Sequence, residues 1–201
     1  GKISLGIGKR EYETFFSVGG QEIYPMDITF SSDGTKMFVV GYSNDTVYQY
    51  TLSTAWDVST ASYSGKFFDV GTQETYPYGL AFSSDGTKMF VVGTSSDTVY
   101  QYTLSTAWDV SSASYASKSY SVATRESNPS GLAFSSDGTK MFVVGTDNDT
   151  VYQYTLSTAW DVSTASYAYK SFSVATQETT PYDLAFSSDG TKMFVVGNTN
   201  D

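Results

Sequence analysis

The 201-residue chain contains neither cysteine nor histidine. Without cysteine it has no disulfide framework and no thiolate metal site. Without histidine it has no Ser-His-Asp or Cys-His catalytic arrangement, no histidine general base and no histidine-ligated zinc or iron. Because no run of 18 or more apolar residues is present, the sequence predicts no transmembrane helix. These absences remove most familiar catalytic centres, and we assign no catalytic residue.

Positive charge is also scarce, with 11 Lys and Arg against 21 Asp and Glu, a net charge of −10. An acidic surface repels phosphate groups, so neither nucleic acid nor an anionic membrane is expected as a partner. Hydrophobic residues make up 40% and aromatic residues 16%, which argues against disorder and favours a soluble, packed domain. The length fits a single domain over residues 1–201.

What the chain does have is an internal repeat of 52 residues without insertions. The string FSSDGTKMFVVG begins unchanged at Phe30, Phe82, Phe134 and Phe186. The string DTVYQYTLSTAWDVS begins unchanged at Asp45, Asp97 and Asp149. Repeats of this period are typical of solenoids, propellers and arrays.

Each repeat contains four runs rich in β-branched and aromatic residues, here named strands A to D. In the first copy, strand A ends at Phe30, strand B is Lys36–Gly41, strand C is Thr46–Leu52 and strand D is Lys66–Gly71. The Asp-Gly pair between A and B is a tight-hairpin signal. Four antiparallel strands per repeat, with repeats starting near 27, 79, 131 and 183, predict an all-β propeller of four-stranded blades.

The segment Ser31–Thr54 resembles the YVTN-type propeller repeat, a relative of WD-repeat and lactonase-like blades. That pattern has a Ser-Pro-Asp-Gly turn, and in this chain serine stands where the family prefers proline, at Ser32, Ser84, Ser136 and Ser188. The resemblance covers nearly the whole chain and implies the fold, with almost no implication for function. Lactonase-type relatives usually place a mixed set of metal-binding Glu, Asp, Asn and often His over the channel, and that set is missing.

Ring closure has several solutions. Residues 1–10 do not match the repeat, and Ile3, Leu5 and Ile7 alternate with polar or small residues as in a strand. We expect residues 1–18 to form a closing C–D hairpin that completes the blade begun by the last A–B hairpin. Closure within one chain gives a ring of about four blades, and closure between two chains gives an eight-bladed homodimer. An open fragment of a longer parent is the third alternative.

Differences among the copies concentrate in the D–A and B–C loops, which a propeller places on one face, the upper face. Their Tyr, Ser, Asn, Thr and Asp residues are typical of adaptable recognition surfaces, so a protein or carbohydrate ligand is expected there. Neutral drift in solvated loops is the alternative explanation. The candidate ligand-binding residues are Tyr24, Tyr42, Asn44, Tyr76, Tyr78, Ser95, Asn128, Asp147, Tyr182 and Asn198.

A glutamate recurs in every D–A loop, and symmetry places these residues around the upper mouth of the channel. They could bind a hard cation such as Ca²⁺ in the channel, or each could cap its own loop by accepting backbone N–H bonds. The four residues are Glu22, Glu74, Glu126 and Glu178.

Two further sets of residues have a structural and a functional interpretation. Asp27 and Asp183 replace a glycine of the middle repeats and could act as paired carboxylates in glycoside hydrolysis. The tryptophans could stack on sugar rings, although their invariant, apolar surroundings favour structural anchors: Trp56, Trp108 and Trp160.

The sequence therefore favours a non-enzymatic binding or scaffolding propeller that recognises a protein or glycan through its upper loops. A metal-dependent lactonase-like or glycoside-cleaving enzyme is the first alternative. A recently amplified or engineered repeat scaffold without a dedicated ligand is the second.

Overall fold

A computed structural model describes residues 15–199. The first sheet consists of β1 (Pro25–Phe30), β2 (Lys36–Gly41), β3 (Thr46–Leu52) and β4 (Ala61–Asp69). The second consists of β5 (Pro77–Phe82), β6 (Lys88–Gly93), β7 (Thr98–Leu104) and β8 (Ala113–Ser121). The third consists of β9 (Pro129–Phe134), β10 (Lys140–Gly145), β11 (Thr150–Leu156) and β12 (Ala165–Ser173). A hairpin of β13 (Pro181–Phe186) and β14 (Met193–Gly197) follows.

Within each sheet the strands are antiparallel and lie in sequence order, so every connection is a hairpin. The A–B turn is closed by local chemistry, since Asp33 accepts hydrogen bonds from Ser31 Oγ and Thr35 N and Gly34 adopts a φ of +68°. A 3₁₀ turn precedes strand D in each blade, at Val58–Thr60, Val110–Ser112 and Val162–Thr164. The predicted all-β fold of four-stranded antiparallel blades is confirmed, and no helix among residues 15–199 could cross a membrane.

The core lies between successive sheets. Strand β1 packs beside β5, β5 beside β9, and β9 beside β13, so the four A strands line a common channel. Phe38 and Val40 of the first sheet pack against Leu80, Met89 and Val91 of the second, and the same arrangement recurs at the next junction. Because the second sheet is covered on both faces, its run MFVV need not alternate with polar residues.

Polar contacts repeat at the same junctions. Lys66 pairs with Asp109 of the next blade at 2.5 Å, and the Oε1 atom of buried Gln49 accepts a 3.0 Å hydrogen bond from Val110 N. Trp108 lies 5.4 Å from Phe82 and 6.1 Å from Phe38 of the preceding sheet. The tryptophans of the second and third blades are thus junction anchors, in agreement with the structural interpretation of their sequence surroundings.

The described residues form an arc of three blades and one hairpin. Strands β1 and β13 do not pack as β1 and β5 do. Most of the predicted closing hairpin over residues 1–18 lies outside the described residues, which begin at Phe15.

Candidate binding site at the channel mouth

All four inner strands carry a β-bulge at their upper end. In β1 the register shifts between Pro25 and Asp27, and the other inner strands shift at the equivalent place. A bulge redirects the side chains beside it. The inserted positions are Met26, Tyr78, Ser130 and Tyr182.

Below the bulges, Asp27 and Asp183 line a cavity of about 280 Å³ formed by the inner strands. Asp27 Oδ2 accepts a 2.7 Å hydrogen bond from Leu80 N of the next blade, and Oδ1 accepts one of 2.6 Å from Ile28 N. At the junction of the third blade with the last hairpin, a Cβ on Gly131 would lie 2.7 Å from Asp183 Cα, so glycine at this position makes room for Asp183. Asp27 and Asp183 therefore share one cavity, and the two middle blades carry glycine at the equivalent position.

Both carboxyl groups hold protons more tightly than ordinary aspartates. Burial raises the pKa of Asp27 to about 8, the nearby Asp183 adds to the increase, and the two backbone N–H donors oppose it. Burial also raises the pKa of Asp183. Two neighbouring carboxyls with raised pKa values titrate as a pair, so near neutral pH the mouth of the channel does not carry two full negative charges.

We expect the Asp27→Asn substitution to flatten the pH dependence of stability. A carboxyl whose pKa is raised on folding binds its proton more tightly in the folded state, so its stabilising contribution is present below about pH 4 and is lost as the pH rises toward about 8. Across that window the wild-type chain should lose stability relative to the variant by as much as about 5 kcal/mol, because each pKa unit of the shift corresponds to about 1.4 kcal/mol. Urea unfolding at a series of pH values measures it.

The matched control is Asp33→Asn in the exposed A–B turn. Hydrogen bonds from Ser31 and Thr35 lower the pKa of Asp33 to about 2. Its stabilising contribution is therefore present above about pH 4 and is lost only as the pH falls toward 2. If the unfolding free energies of the wild type and of Asp27→Asn change in parallel between pH 4 and 8, the raised pKa of Asp27 is contradicted.

A tyrosine cluster covers the loops beside the mouth. Tyr24 and Tyr42 stack with centroids 5.0 Å apart and planes 8° apart. The Tyr42 ring also lies 5.8 Å from Tyr76 and 6.0 Å from Tyr78. Burial and the neighbouring Tyr42 and Tyr182 raise the pKa of Tyr78. The structure thus brings four of the five predicted tyrosines into ring contact, and the fifth, Tyr182, lies near enough to Tyr78 to raise its pKa.

The other predicted binding residues hold the loops in place. Their side-chain partners are Gln21 O for Asn44, Glu74 for Ser95, Thr146 Oγ1 for Asn128, Ser127 for Asp147 and Tyr182 for Asn198. Most of these bonds join a D–A loop to a B–C loop, so the two variable loops of each blade form one surface. The polar residues shape that surface, and the tyrosines supply its contact area.

The four recurring glutamates are not brought together. Glu74 Oε1 accepts hydrogen bonds from Tyr76 N at 2.8 Å, Ser95 N at 3.1 Å and Ser95 Oγ, while Oε2 accepts one of 2.6 Å from Ser96 Oγ. Within residues 15–199 no three acidic side chains are grouped to hold a metal ion. The predicted Ca²⁺ site at Glu22, Glu74, Glu126 and Glu178 is therefore not formed there, because the carboxylates bond to their own loops.

Sequence reasoning missed how these glutamates are accommodated. Strand B ends in a glycine in every blade, and a Cβ on Gly93 would lie 2.7 Å from Glu74 Cδ and 2.0 Å from Tyr76 O. The invariant glycine was the available signal for a side chain buried against the backbone. The proline that opens each inner strand was likewise the signal for the bulge, since proline in sheets is confined to edges, first positions and bulges.

No protein-family model matches the chain, and no curated protein matches its sequence. Solved structures do match. A protein from Lactobacillus plantarum is 18% identical with a TM-score of 0.62, and the alignment covers 86% of this chain and 48% of that one. A candidate 6-phosphogluconolactonase from Bacteroides uniformis is 15% identical with a TM-score of 0.59, covering 87% and 50%. The WD40 β-propeller domain of Doa1 is 14% identical with a TM-score of 0.53, covering 86% and 47%.

At these identities the comparisons show the fold alone. The chain is a propeller repeat protein whose structural neighbours include lactonase-like and WD40 propellers, which confirms the resemblance found in its repeats. It spans about half the length of these neighbours.

Proposed function

We propose that this chain is a non-enzymatic binding module that holds a protein or glycan ligand on its upper face, at the channel mouth. The tyrosine cluster of Tyr24, Tyr42, Tyr76, Tyr78 and Tyr182 is the observation that supports this proposal. Tyrosine rings offer a large contact area at a small cost in side-chain entropy, and their hydroxyl groups add hydrogen bonds. The loops that carry the cluster are fixed by the buried glutamates, so the surface is organised before a ligand arrives.

One observation favours a second candidate, a glycoside-cleaving enzyme. Asp27 and Asp183 are two carboxyls with raised pKa values in one cavity, and a raised pKa suits a general acid. Against this, both Asp27 oxygens already accept backbone hydrogen bonds. Such bonds hold the carboxyl against the strand, so we rank catalysis second.

The binding proposal is tested on an array of immobilised oligosaccharides and peptides. We expect at least one class to bind the wild-type chain and the Tyr42→Ala variant to bind it about tenfold or more weakly, because Tyr42 contacts three other rings of the cluster. Tyr115→Ala, on outer strand β8, should leave binding unchanged. No binding by the wild type, or equal binding by Tyr42→Ala, would count against the proposal.

Turnover of aryl glycosides by the wild type that disappears in Asp27→Asn would instead support the enzyme. The binding proposal therefore predicts a loss of binding in Tyr42→Ala, and the enzyme proposal predicts a loss of turnover in Asp27→Asn.

A further inference from the structure

The negative charge of the chain is concentrated on its upper face. Each D–A loop carries a glutamate, and the B–C loops of the three complete blades end in an aspartate, at Asp45, Asp97 and Asp149. Strand β4 adds Asp69 at its upper end. Between residues 15 and 199 the D–A and B–C loops contain a single basic residue, Arg125. The upper face is therefore strongly anionic.

The lower face is close to neutral, because lysines accompany its aspartates. Each A–B turn contains an aspartate and is followed by a lysine, as Asp33 is followed by Lys36 at the start of β2. The C–D links of the second and third blades carry an aspartate that pairs with a lysine of the preceding blade, as Asp109 does with Lys66 at 2.5 Å. The excess of negative charge thus belongs to one face, and it favours a cationic partner there.

Carboxylates in the loops of the tyrosine cluster lie close together. Asp45 ends the B–C loop that carries Tyr42, and a Cβ on Gly71 would lie 3.2 Å from Asp45 Oδ2 and 3.0 Å from Asp69 Oδ1. Burial raises the pKa of Asp45, and the nearby charges of Asp69 and Glu22 raise it further. Asp69 is exposed. A cation bound at this place would relieve the repulsion among these groups.

The first blade also holds a carboxylate that the donors of the protein leave partly unpaired. Glu22 is completely buried, and its Oε1 atom accepts hydrogen bonds from Tyr24 N at 2.8 Å and Ser43 N at 3.2 Å. Among residues 15–199 its Oε2 atom has no hydrogen-bond partner, whereas Oε2 of Glu74 accepts one from Ser96 Oγ. The negative charge beside the tyrosine cluster is therefore less neutralised than its equivalent in the second blade, which again favours a cation.

Two rings of the cluster are open to such a cation. Tyr24 is 52% exposed and Tyr76 is 51% exposed, and both contact the ring of Tyr42. A guanidinium group stacks on aromatic planes and binds carboxylates through two parallel hydrogen bonds. The chain makes the first of these contacts itself, since Arg125 Cζ lies 4.3 Å from the centroid of the Tyr167 ring. Arginine is therefore the side chain that suits both the rings and the carboxylates of this face.

We propose that the partner is a basic polypeptide segment, whose arginine side chains stack on Tyr24 and Tyr76 and pair with carboxylates of the upper face, Asp69 among them. This inference rests on the proposed binding function and narrows its ligand from a protein or glycan to a cationic polypeptide. A neutral glycan could contact the tyrosines but gains nothing from the charge, and an acidic glycan is repelled by it.

The test is fluorescence anisotropy with a labelled peptide of alternating arginine and glycine. The same peptide with citrulline, the uncharged isostere of arginine, is measured beside it. We expect the wild-type chain to bind the arginine peptide about tenfold or more tightly, because citrulline keeps the shape of the side chain and loses its charge. Added salt should weaken the binding of the arginine peptide, since the carboxylates lie at the surface.

Two substitutions in exposed residues locate the binding surface. Tyr76→Ala should weaken binding of the arginine peptide about two- to fivefold, because it removes a ring on which a guanidinium stacks. Asp69→Asn should weaken it about two- to fivefold by removing one charge. The asparagine oxygen can still accept the hydrogen bond that Asp69 Oδ1 accepts from Gly71 N, so this variant should fold, and circular dichroism checks both variants.

Asp57→Asn is the matched control, because it removes the same charge from the lower face. Asp57 caps the 3₁₀ turn at Val58–Thr60, and asparagine caps equally well. It should leave binding unchanged. Equal binding of the two peptides, no binding of either, or equal losses in Asp57→Asn and Asp69→Asn would overturn the inference. An oligosaccharide that binds the wild type but not Tyr42→Ala, while the arginine peptide does not bind, would overturn it and leave the proposed binding function intact.

Discussion

Replacing Glu74 by alanine should lower the free energy of unfolding by about 4 kcal/mol, at the upper end of single-residue effects. The Glu74 side chain is completely buried and accepts hydrogen bonds from two backbone N–H groups and two serine hydroxyls. Removing the carboxylate deprives four partly buried donors of their acceptor, and each lost hydrogen bond costs about 1 kcal/mol. Chemical denaturation monitored by circular dichroism measures the loss.

Glu178→Ala provides the internal comparison. Glu178 stands at the equivalent position and accepts hydrogen bonds from Thr180 N and Thr199 N, but it lies half-buried in the last hairpin, where water can replace lost partners. Its loss of stability should be smaller by about 2 kcal/mol. Equal losses at the two positions would show that burial does not set the cost. If added Ca²⁺ stabilises the wild type but not Glu74→Ala, the interpretation of the glutamates as a metal site would be restored.

The Gly86→Ala substitution should cost about 3 to 4 kcal/mol through two separable effects. Gly86 has a φ of +70°, which costs an alanine about 1 to 2 kcal/mol. Its Cβ would also lie 2.3 Å from the Trp108 ring, so the ring must move, and overpacking of this kind costs about 1 to 3 kcal/mol. Because Trp108 anchors the junction with the preceding blade, its fluorescence should change together with the stability.

Gly190→Ala isolates the backbone effect. Gly190 occupies the same turn with the same φ of +70°, and nothing lies within 4 Å of its would-be Cβ. This variant should lose only about 1 kcal/mol. The difference between the two variants is the cost of displacing the tryptophan, and a difference near zero would mean that the ring yields freely.

The candidate site was only partly predictable from the sequence. The tyrosines were found because the upper loops are where the copies differ, and their clustering followed from the repeat. The aspartate pair was noticed because Asp27 and Asp183 break a glycine pattern, but its setting could not be derived. Asp27 bonds to Leu80, 53 positions away, and that contact depends on how two blades pack. The glutamates were compatible with two interpretations, since their recurrence is the same whether they point into the channel or into their loops.

The sequence by itself determined the period of the repeat, the four strands of each blade and the tight A–B turns. These follow from local chemistry, because strand composition and an Asp-Gly turn act within a few residues. Only the tertiary structure decided where the bulges direct side chains, how Glu74 and Glu178 come to differ in burial, and which faces of the first and last blades stay open. Identical strands such as Lys88–Gly93 and the segment 192–197 differ in exposure because burial is set by the neighbouring sheet, a partner that a strand's own residues do not specify.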